Sequence, residues 1–341
     1  MNPLLLQRLT VASAVLTSIG CERPSPAPDP NPSARPVSVK PAWQWSMDTV
    51  RTVVNAVRAG RTLQPASWPA GARVAVLLSF DVDNETVSLR FGEPTIGALS
   101  EGQYGARVGL KRVVDLMDRK GVPGTFFFPS VSLSLAPEMA ETIKRSGRHE
   151  FGVHGWIHEM NVGIPPAKER ELVTRAVDEL TRLTGTRPVG YRAPSWNLSA
   201  ATLGIVRELG FLYESSLMAD ESPYELLADG KPTGMIELPV EWILDDAPLV
   251  LPTGPRYSTP RDLLQVWIDE FDRAYQERTM FLLTMHPHII GHRSRILVLK
   301  TLIDYIQTKP QVWFATHRDV AEYVREVSGL GRPTGAAPSG N

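Results

Sequence analysis

The stretch Val74-Ala75-Val76-Leu77-Leu78-Ser79-Phe80 is an almost uninterrupted apolar run of β-prone residues, and Asp81-Val82-Asp83 follows it directly. A continuous apolar run of this length is typical of a strand buried on both faces, as the strands of parallel sheets are. Acidic residues directly after such a strand lie at its carboxyl end, where barrels of alternating strands and helices carry their chemistry. The run therefore predicts a central strand that brings two carboxylates to a functional edge.

Similar strand-like runs alternate with helical patterns through the rest of the chain. Further strands are predicted at 125–128, 150–153, 189–191, 212–214, 236–240, 280–285 and 312–315. Helices are predicted at 107–120, 137–146, 166–184, 200–209, 261–277, 294–308 and 318–327. Repeated alternation with short connections implies a parallel sheet, and this number of units favours closure into a barrel. We therefore expect an α/β fold of the barrel type.

The composition excludes some classes of protein. A formal net charge of −1 over 341 residues argues against a nucleic-acid partner, because phosphate binding needs a strongly basic face. Cys21 is the single cysteine, so an intrachain disulfide is impossible and cysteine is excluded as a nucleophile or metal ligand of the folded body. The length allows a large core, and no internal repeat or linker to a second domain is visible.

The two ends of the chain differ from its body. Residues 1–21 carry one positive charge before an apolar run too short to span a bilayer, which is typical of a signal peptide. The ending Ser18-Ile19-Gly20-Cys21 resembles a bacterial lipoprotein cleavage box, in which Cys21 would carry a lipid anchor. The expected organisation is a signal at 1–21, a Pro-rich linker at 22–42, an N-terminal extension at 43–72, one folded domain at 73–328 and a disordered tail at 329–341. We expect an exported protein of the cell envelope, with a cytoplasmic location as the alternative.

Two histidines follow the predicted strand at 150–153, in the segment His154-Gly155-Trp156-Ile157-His158. Their i, i+4 spacing places both imidazoles on one face if the segment is helical. Taken alone, the acidic pair fits a strand-ending turn and the histidines fit core or surface positions. Together they supply one carboxylate and two imidazoles for a divalent metal, with a coordination position left for water and substrate. The combination favours a metal-assisted hydrolase.

Polar candidates lie at or just after five predicted strand ends: Asp81, His154, Arg192, Glu241 and His286. In a barrel these ends meet at one mouth. The connection at 84–106, which contains Arg90 and Tyr104, is long for such a fold and is expected to face the substrate as a lid or to contact another subunit of a homo-oligomer. Trp196 and Trp242 are candidates for lining the pocket, with core packing as the alternative.

Four motifs occur in the order found in the polysaccharide deacetylases: Ser79-Phe80-Asp81-Val82-Asp83, His154-Gly155-Trp156-Ile157-His158, Arg192-Ala193-Pro194-Ser195-Trp196 and Thr284-Met285-His286-Pro287. The chain resembles this family, the NodB-homology superfamily or carbohydrate esterase family four, over about residues 73–323. It is similar to the subgroup of the Helicobacter-type peptidoglycan deacetylase and the allantoinase-like amidohydrolases, in which one residue separates the two acids and proline follows the last histidine. The resemblance implies a NodB-like distorted (β/α) barrel of seven or eight strands.

The resemblance also implies a ligand set and a substrate surface. Asp83, His154 and His158 would hold one divalent metal, Zn²⁺ in particular. Residues that would contact the substrate are Tyr104, Trp196, Glu241 and Trp242. Gly155 departs from the Ser or Thr of many deacetylases, and because that hydroxyl is regarded as structural the departure is discounted.

The acid–base roles implied by the resemblance fall on three residues. Asp81 would be the general base for the attacking water, and His286 the general acid that protonates the leaving nitrogen. Arg192 would pair with Asp81 and keep it ionised, because an opposite charge favours the charged form. A carboxylate base and a histidine that titrates near neutrality suit the cleavage of an amide. Structural roles are expected for the remaining histidines of the body, which are His149, His288, His292 and His317.

The expected function is therefore hydrolysis of a non-peptide carbon–nitrogen bond, namely N-deacetylation of an N-acetylated polysaccharide such as peptidoglycan. The close alternative is a hydrolase of a small cyclic amide, imide or ureide, because the Asp-Val-Asp spacing differs from the adjacent acids of chitin and xylan deacetylases. A loop that closes the mouth would favour the small substrate, and an open groove would favour a glycan. A non-catalytic envelope-binding module would require degraded motifs, whereas every metal and acid–base position is filled here.

Overall fold

The computed structural model describes residues 41–92, 95–251 and 258–331. The described residues from Ala42 onward belong to one compact unit. The predicted signal, Cys21, the linker up to residue 40 and the tail beyond residue 331 lie outside the described residues. None of the helices in the described ranges combines the length and the apolar character needed to cross a bilayer.

Strands and helices alternate along the described chain. The strands are β1 Val57–Thr62, β2 Val74–Asp81, β3 Thr125–Phe128, β4 Glu150–Val153, β5 Gly190–Tyr191, β6 Tyr213–Glu214, β7 Tyr224–Ala228, β8 Lys231–Glu237, β9 Met280–Met285 and β10 Val312–Ala315. The helices are α1 Met47–Asn55, α2 Thr86–Leu89, α3 Ile96–Tyr104, α4 Leu110–Lys120, α5 Ser130–Leu135, α6 Glu138–Lys144, α7 Pro166–Thr184, α8 Thr202–Glu208, α9 Asp246–Val250, α10 Pro260–Glu277, α11 Pro287–Ile290, α12 Arg295–Gln307 and α13 His317–Val327.

The described strands form one sheet that curls into a distorted barrel. Its order is β1-β7-β8-β6-β5-β4-β3-β2-β10, and β9 pairs with the other edge of β2. Strand β10 pairs with the first half of β2 and β3 with its second half, so both share one edge. A parallel bridge between Asp245 and Thr284 joins the chain after β8 to β9. Eight strands run parallel, with β1 and β7 added antiparallel, which confirms the predicted barrel of seven or eight strands.

Strand β2 lies at the centre of the fold, and all eight of its residues are buried. Val76, Leu78 and Phe80 belong to the apolar core that lies between the sheet and the helices. Ala75 and Leu77 belong to a second core that includes β-strand residues across the barrel. Side chains alternate along a strand, so Ser79 and Asp81 point to the same side of β2 as Ala75 and Leu77, which is the interior of the barrel. The alternation therefore delivers Asp81 to the interior mouth.

The region at 43–72 contributes structure to the sheet. It contains α1 and the edge strand β1, which pairs antiparallel with β7. Trp68 is buried against Trp313 and Tyr323, with ring centroids 6.0 and 6.2 Å apart. This indole also donates to the backbone carbonyl of Thr279 at 2.9 Å. Burial of so large a ring fastens the extension to the start of β9 and to α13.

Two elements differ from the sequence-based expectation. The connection at 84–106 is not an open loop in its described part, because it contains α2 and α3 and continues through a π-helical turn at Gly105–Gly109 into α4. A side chain at Gly109 would lie 2.0 Å from the carbonyl oxygen of Pro287, so glycine is required where this turn meets α11. Strands β7 and β8 form a hairpin where one strand at 236–240 was expected. Its Asp229-Gly230 turn has φ values of 49° and 74°, which is the sequence signal that could have located the hairpin.

Candidate active site

Strand ends bring the predicted acids and histidines together. Asp81 ends β2, and His154 and His286 directly follow β4 and β9. The Nε2 atom of His154 lies 3.6 Å from Asp81 Oδ2 and 3.6 Å from Asp83 Oδ1. Asp83 Oδ2 lies 3.4 Å from His158 Nε2 and 3.6 Å from His286 Nε2. All five side chains are buried, so these groups form one cluster at the mouth of the barrel.

Asp83, His154 and His158 have the arrangement of a metal site. Their ligand atoms all lie within 4.8 Å of one another. Asp83 Oδ1 is buried and has no hydrogen-bond partner among the described residues, and burial raises the pKa of this carboxyl. An ionised carboxylate is costly to bury without a donor or a cation, so this orphaned oxygen fits a metal ion. His154 Nδ1 donates to the carbonyl of Arg192 at 2.8 Å, which leaves its Nε2 lone pair facing the cluster.

The loop between the two histidines is not helical. Gly155 and His158 have φ values of 77° and 63°, in the left-handed region. The turn nevertheless brings the two imidazole rings together, with centroids 5.0 Å apart. A side chain at Gly155 would meet Pro194 Cγ at 2.8 Å and the Glu159 carboxylate at 3.1 Å, in addition to the cost of the positive φ. The helical geometry considered from the i, i+4 spacing is therefore wrong, and the glycine found in place of Ser or Thr is required by the turn.

Arg192 holds Asp81 in one orientation. Its Nη1 donates to Asp81 Oδ1 at 2.8 Å and to Ser79 Oγ at 2.9 Å. Burial raises the pKa of Asp81, but Arg192 and then His154 lower it by more, so the net pKa lies below its ordinary value. The pairing predicted from the resemblance is therefore present, and Asp81 is ionised at neutral pH.

Arg192 is itself fixed from several sides. Its Nε donates to the carbonyl of Ser215 at 2.9 Å, and its Nη2 donates to Ser215 Oγ at 3.0 Å and to His317 Nε2 at 3.2 Å. The guanidinium also lies over the Phe127 ring, 4.2 Å from its centroid. Burial, followed by Arg192, lowers the pKa of His317 well below its ordinary value, so this ring is neutral and accepts. His317 thus has the structural role expected for it, as a support for Arg192.

His286 has carboxylate partners that the sequence motifs did not single out. Asp246 Oδ1 accepts from His286 Nδ1 at 2.7 Å, and Asp246 Oδ2 accepts from the His286 backbone N–H at 3.1 Å. Asp245 Oδ1 lies 3.6 Å from the same ring nitrogen. Burial lowers the pKa of His286, but Asp245 and Asp246 raise it well above its ordinary value. The imidazolium therefore presents Nε2–H to the cluster, as a general acid requires.

Three other histidines make local packing contacts and hydrogen bonds. The ring of His288 lies edge-on to His286, with centroids 5.6 Å apart, and burial lowers the pKa of His288 to about 3. His292 stacks on Tyr104 at 3.8 Å, and His149 Nδ1 accepts from the backbone N–H of Gly124 at 3.1 Å. These contacts agree with the structural roles predicted for them.

The four predicted substrate residues separate into two groups. Trp196 and Trp242 pack on each other with ring centroids 4.1 Å apart, and Trp242 is 46% exposed. The hydroxyl of Tyr104 accepts from Arg112 and donates to the carbonyl of Gly291, so it braces α4 against the end of α11. Glu241 is exposed and accepts from the backbone N–H of Ile243. The structure thus brings the two tryptophans into contact with each other and places Tyr104 and Glu241 in local hydrogen bonds.

Arg90 is one more residue that contacts the candidate metal ligands. It follows α2, and its Nη1 donates to His158 Nδ1 at 2.8 Å and to Ser195 Oγ at 2.9 Å. Ser195 and Trp196 both have left-handed φ values, 51° and 53°, and His158 shares that conformation. Strained non-glycine residues of this kind concentrate at functional sites. These residues lie beside the acids and histidines of the cluster, on the side where Arg90 contacts His158.

The mouth of the parallel barrel thus holds Asp83, His154 and His158 in a group that could bind a metal ion, with Asp81 paired to Arg192 and His286 paired to Asp246. The family model of polysaccharide deacetylases matches residues 102–213. A solved structure from Mycobacterium smegmatis, of a protein assigned to the polysaccharide deacetylases, is 35% identical, with a TM-score of 0.74 over 83% of this chain and 100% of that one. The chain belongs to the polysaccharide deacetylase family, whose members are enzymes that use a divalent metal.

Two further relatives mark the subgroup. The peptidoglycan deacetylase of Helicobacter pylori is 28% identical over 280 residues, which cover 72% of this chain and 95% of that protein. The Puue allantoinase structure is 26% identical, with a TM-score of 0.68 over 76% of this chain and 92% of that one. Both were anticipated by the resemblance read from the four sequence motifs.

Proposed function

We propose that this enzyme removes acetyl groups from an N-acetylated glycan, specifically peptidoglycan, with Zn²⁺ held by Asp83, His154 and His158. The observation that carries the proposal is Asp83 Oδ1, a buried carboxylate oxygen without a hydrogen-bond partner in the described chain, 3.6 Å from His154 Nε2. Two imidazole nitrogens and one carboxylate oxygen form a ligand set that suits a catalytic zinc. The likeness to the Helicobacter pylori peptidoglycan deacetylase supports the choice of glycan.

The side chains around this set divide the work of cleaving an amide. A bound divalent metal would polarise the amide carbonyl and make the attacking water more acidic. Arg192 occupies Asp81 Oδ1, so Asp81 Oδ2, on the side of His154, is the oxygen available to take a proton. Asp246 holds His286 Nδ1, so the Nε2 proton faces the cluster and can pass to the leaving nitrogen. A base kept ionised and an acid kept protonated are both required for this reaction.

The metal assignment is tested by elemental analysis of the purified enzyme and its variants. We expect one zinc per chain in the unmodified enzyme and in Asp81→Asn, and loss of zinc in His154→Ala. Asp81→Asn should lower turnover by about a hundredfold or more, as general bases do. Equal zinc content in the unmodified enzyme and in His154→Ala would refute the metal site. Loss of zinc in Asp81→Asn but not in Asp83→Asn would show that Asp81 is the ligand and Asp83 the base.

A second candidate function is ring opening of a small cyclic amide, imide or ureide, which the likeness to the Puue allantoinase favours. Acetate release from N-acetylglucosamine oligomers and ring opening of hydantoin, measured with one zinc-loaded preparation, separate the two. We expect acetate release. Ring opening without acetate release would overturn the proposed deacetylation.

We further propose that the enzyme is exported and anchored at the cell envelope through Cys21. Support comes from the apolar run that ends at Cys21 and from the Pro-rich spacer that follows it. Cell fractionation of the full chain and of Cys21→Ser tests this, since the anchored form should sediment with membranes and the variant should not. Association into a homo-oligomer is a further expectation, which light scattering of the purified enzyme tests.

A further inference from the structure

Arg90 is a charged donor at the metal set without an anionic partner of its own. In the described part of the chain no carboxylate forms an ion pair with it, whereas Arg192 pairs directly with Asp81. Its Nε is buried and has no hydrogen-bond partner among the described residues. A partly buried guanidinium with an unused donor is costly unless an anion completes it. Arg90 therefore differs from a structural arginine.

The contact between Arg90 and His158 is incompatible with a metal on His158 Nε2. Arginine can only donate a hydrogen bond, so His158 Nδ1 accepts and the ring proton lies on Nε2. A neutral imidazole that binds a metal through Nε2 carries its proton on Nδ1 instead. Two N–H groups would then face each other, so a metal on His158 Nε2 would require the guanidinium to leave His158, with Ser195 as its remaining partner.

Metal binding also removes the charge that balances Arg90. Asp83 is the carboxylate next to the histidine that Arg90 contacts, with Asp83 Oδ2 3.4 Å from His158 Nε2. Once Asp83 neutralises a divalent ion, Arg90 and the metal together leave an excess of positive charge on this side of the mouth. A carboxylate has two oxygens that match the planar guanidinium, and such pairs make strong charge-assisted hydrogen bonds.

We propose that Arg90 binds a free carboxylate of the substrate next to the scissile acetamide, so that the enzyme selects N-acetylated sugars that bear a carboxylate, as N-acetylmuramic acid does in glycan strands without stem peptides, over neutral ones. Phe91 is 68% exposed, and its ring lies against the Arg90 guanidinium, with the ring centroid 4.7 Å from Arg90 Cζ. Trp196 follows Ser195, the hydrogen-bond partner of Arg90, and packs on Trp242. Aromatic faces suit a sugar ring, while the guanidinium selects its acidic substituent. This inference rests on the proposed deacetylation, because it names the substrate class of the same site.

N-acetylglucosamine and N-acetylmuramic acid form a matched pair of substrates. They share the ring and the acetamide, and only the second carries a carboxylate, on an ether next to the acetamide. We expect the zinc-loaded enzyme to have the higher kcat/KM for acetate release from the acid. Arg90→Gln should lower kcat/KM for the acid by about ten- to a hundredfold, as expected when a hydrogen bond to a charged group is lost. The value for the neutral sugar should fall by less, so the ratio of the two values should move towards one.

Two variants act as controls. Arg90→Lys keeps the charge but not the planar fork, so it should retain part of the preference. Arg293→Gln removes an exposed arginine just before α12 and should leave both rates as they are. Loss of the preference in Arg293→Gln would show that net charge, and not Arg90, selects the acid.

Binding separates this inference from the proposed function. Zinc-loaded Asp81→Asn is titrated calorimetrically with N-acetylmuramic acid and with its neutral methyl ester, with and without Arg90→Gln. Tighter binding of the acid that disappears with Arg90→Gln supports the inference even if no acetate is released from any sugar, which would refute only the deacetylation. Equal affinities, a preference that survives Arg90→Gln, or loss of zinc from Arg90→Gln would each overturn it.

Discussion

Replacement of Arg192 by leucine should destabilise the enzyme and abolish most of its activity. The variant leaves the Asp81 carboxylate buried beside Ser79 without its cation, and it removes the donors to Ser215 and His317. Breaking a buried ion pair by removing one partner typically costs about 3–5 kcal/mol. We therefore expect the free energy of unfolding at neutral pH to fall by about 3–5 kcal/mol.

The loss should depend on Asp81 itself. Asp81→Asn removes the charge that needs Arg192, so the two changes together should cost less than their sum, by about 0.5–3 kcal/mol. The folded-state pKa of Asp81 lies below its ordinary value of 3.8, so the stabilisation is present above that pH. It is lost as the pH falls below about 3.8 and the carboxylate takes up a proton.

Urea unfolding followed by circular dichroism, at neutral pH and at a series of acidic pH values, measures both effects. Arg170→Leu is the matched control, because Arg170 pairs with Glu208 at the exposed surface and its removal should change stability little. Additive losses in Arg192→Leu and Asp81→Asn would refute the reasoning, since they would show that the two side chains do not support each other. A stability difference that persists unchanged into strong acid would refute it as well.

The remaining predictions concern the general acid and the histidine turn. His286→Ala should slow amide hydrolysis more than hydrolysis of an activated ester, because the ester needs little protonation of its leaving group. His288→Ala should lower Tm more than kcat. If His288→Ala instead shows the leaving-group-dependent loss and His286→Ala does not, His288 is the general acid. In Asp246→Asn the pKa of His286 should fall, because Asp245 and Asp246 together raise it. The alkaline limb of the plot of kcat against pH should therefore move to lower pH. An alkaline limb that does not move would contradict this role of Asp246. Gly155→Ala should cost about 1–3 kcal/mol of unfolding free energy from backbone strain, before its clash with Pro194, and should reduce zinc content; full zinc and unchanged stability would contradict the assigned turn.

Much of the fold was predictable from local patterns. The bounds expected for β3, β4, β9, β10 and α7 agree with those observed, because each is a strong apolar or amphipathic run between clear stops. Short and weakly patterned elements were missed, including α5 and the β7–β8 hairpin. The segment at 84–106 was expected to be a loop. In the structure α3 packs on the π-helical turn beside α11, and the composition of the segment gives no sign of that packing.

The candidate site divides in the same way. The sequence by itself determined which strand ends carry Asp81, Asp83, His154 and His286, because strand periodicity and the parallel fold send those positions to one mouth. Only the tertiary structure decided their partners. Asp246 reaches His286 across 40 residues of chain, Arg90 reaches His158 across 68, and His317 reaches Arg192 across 125. No local pattern encodes these contacts, because each depends on where two separate strands or helices place their ends in space.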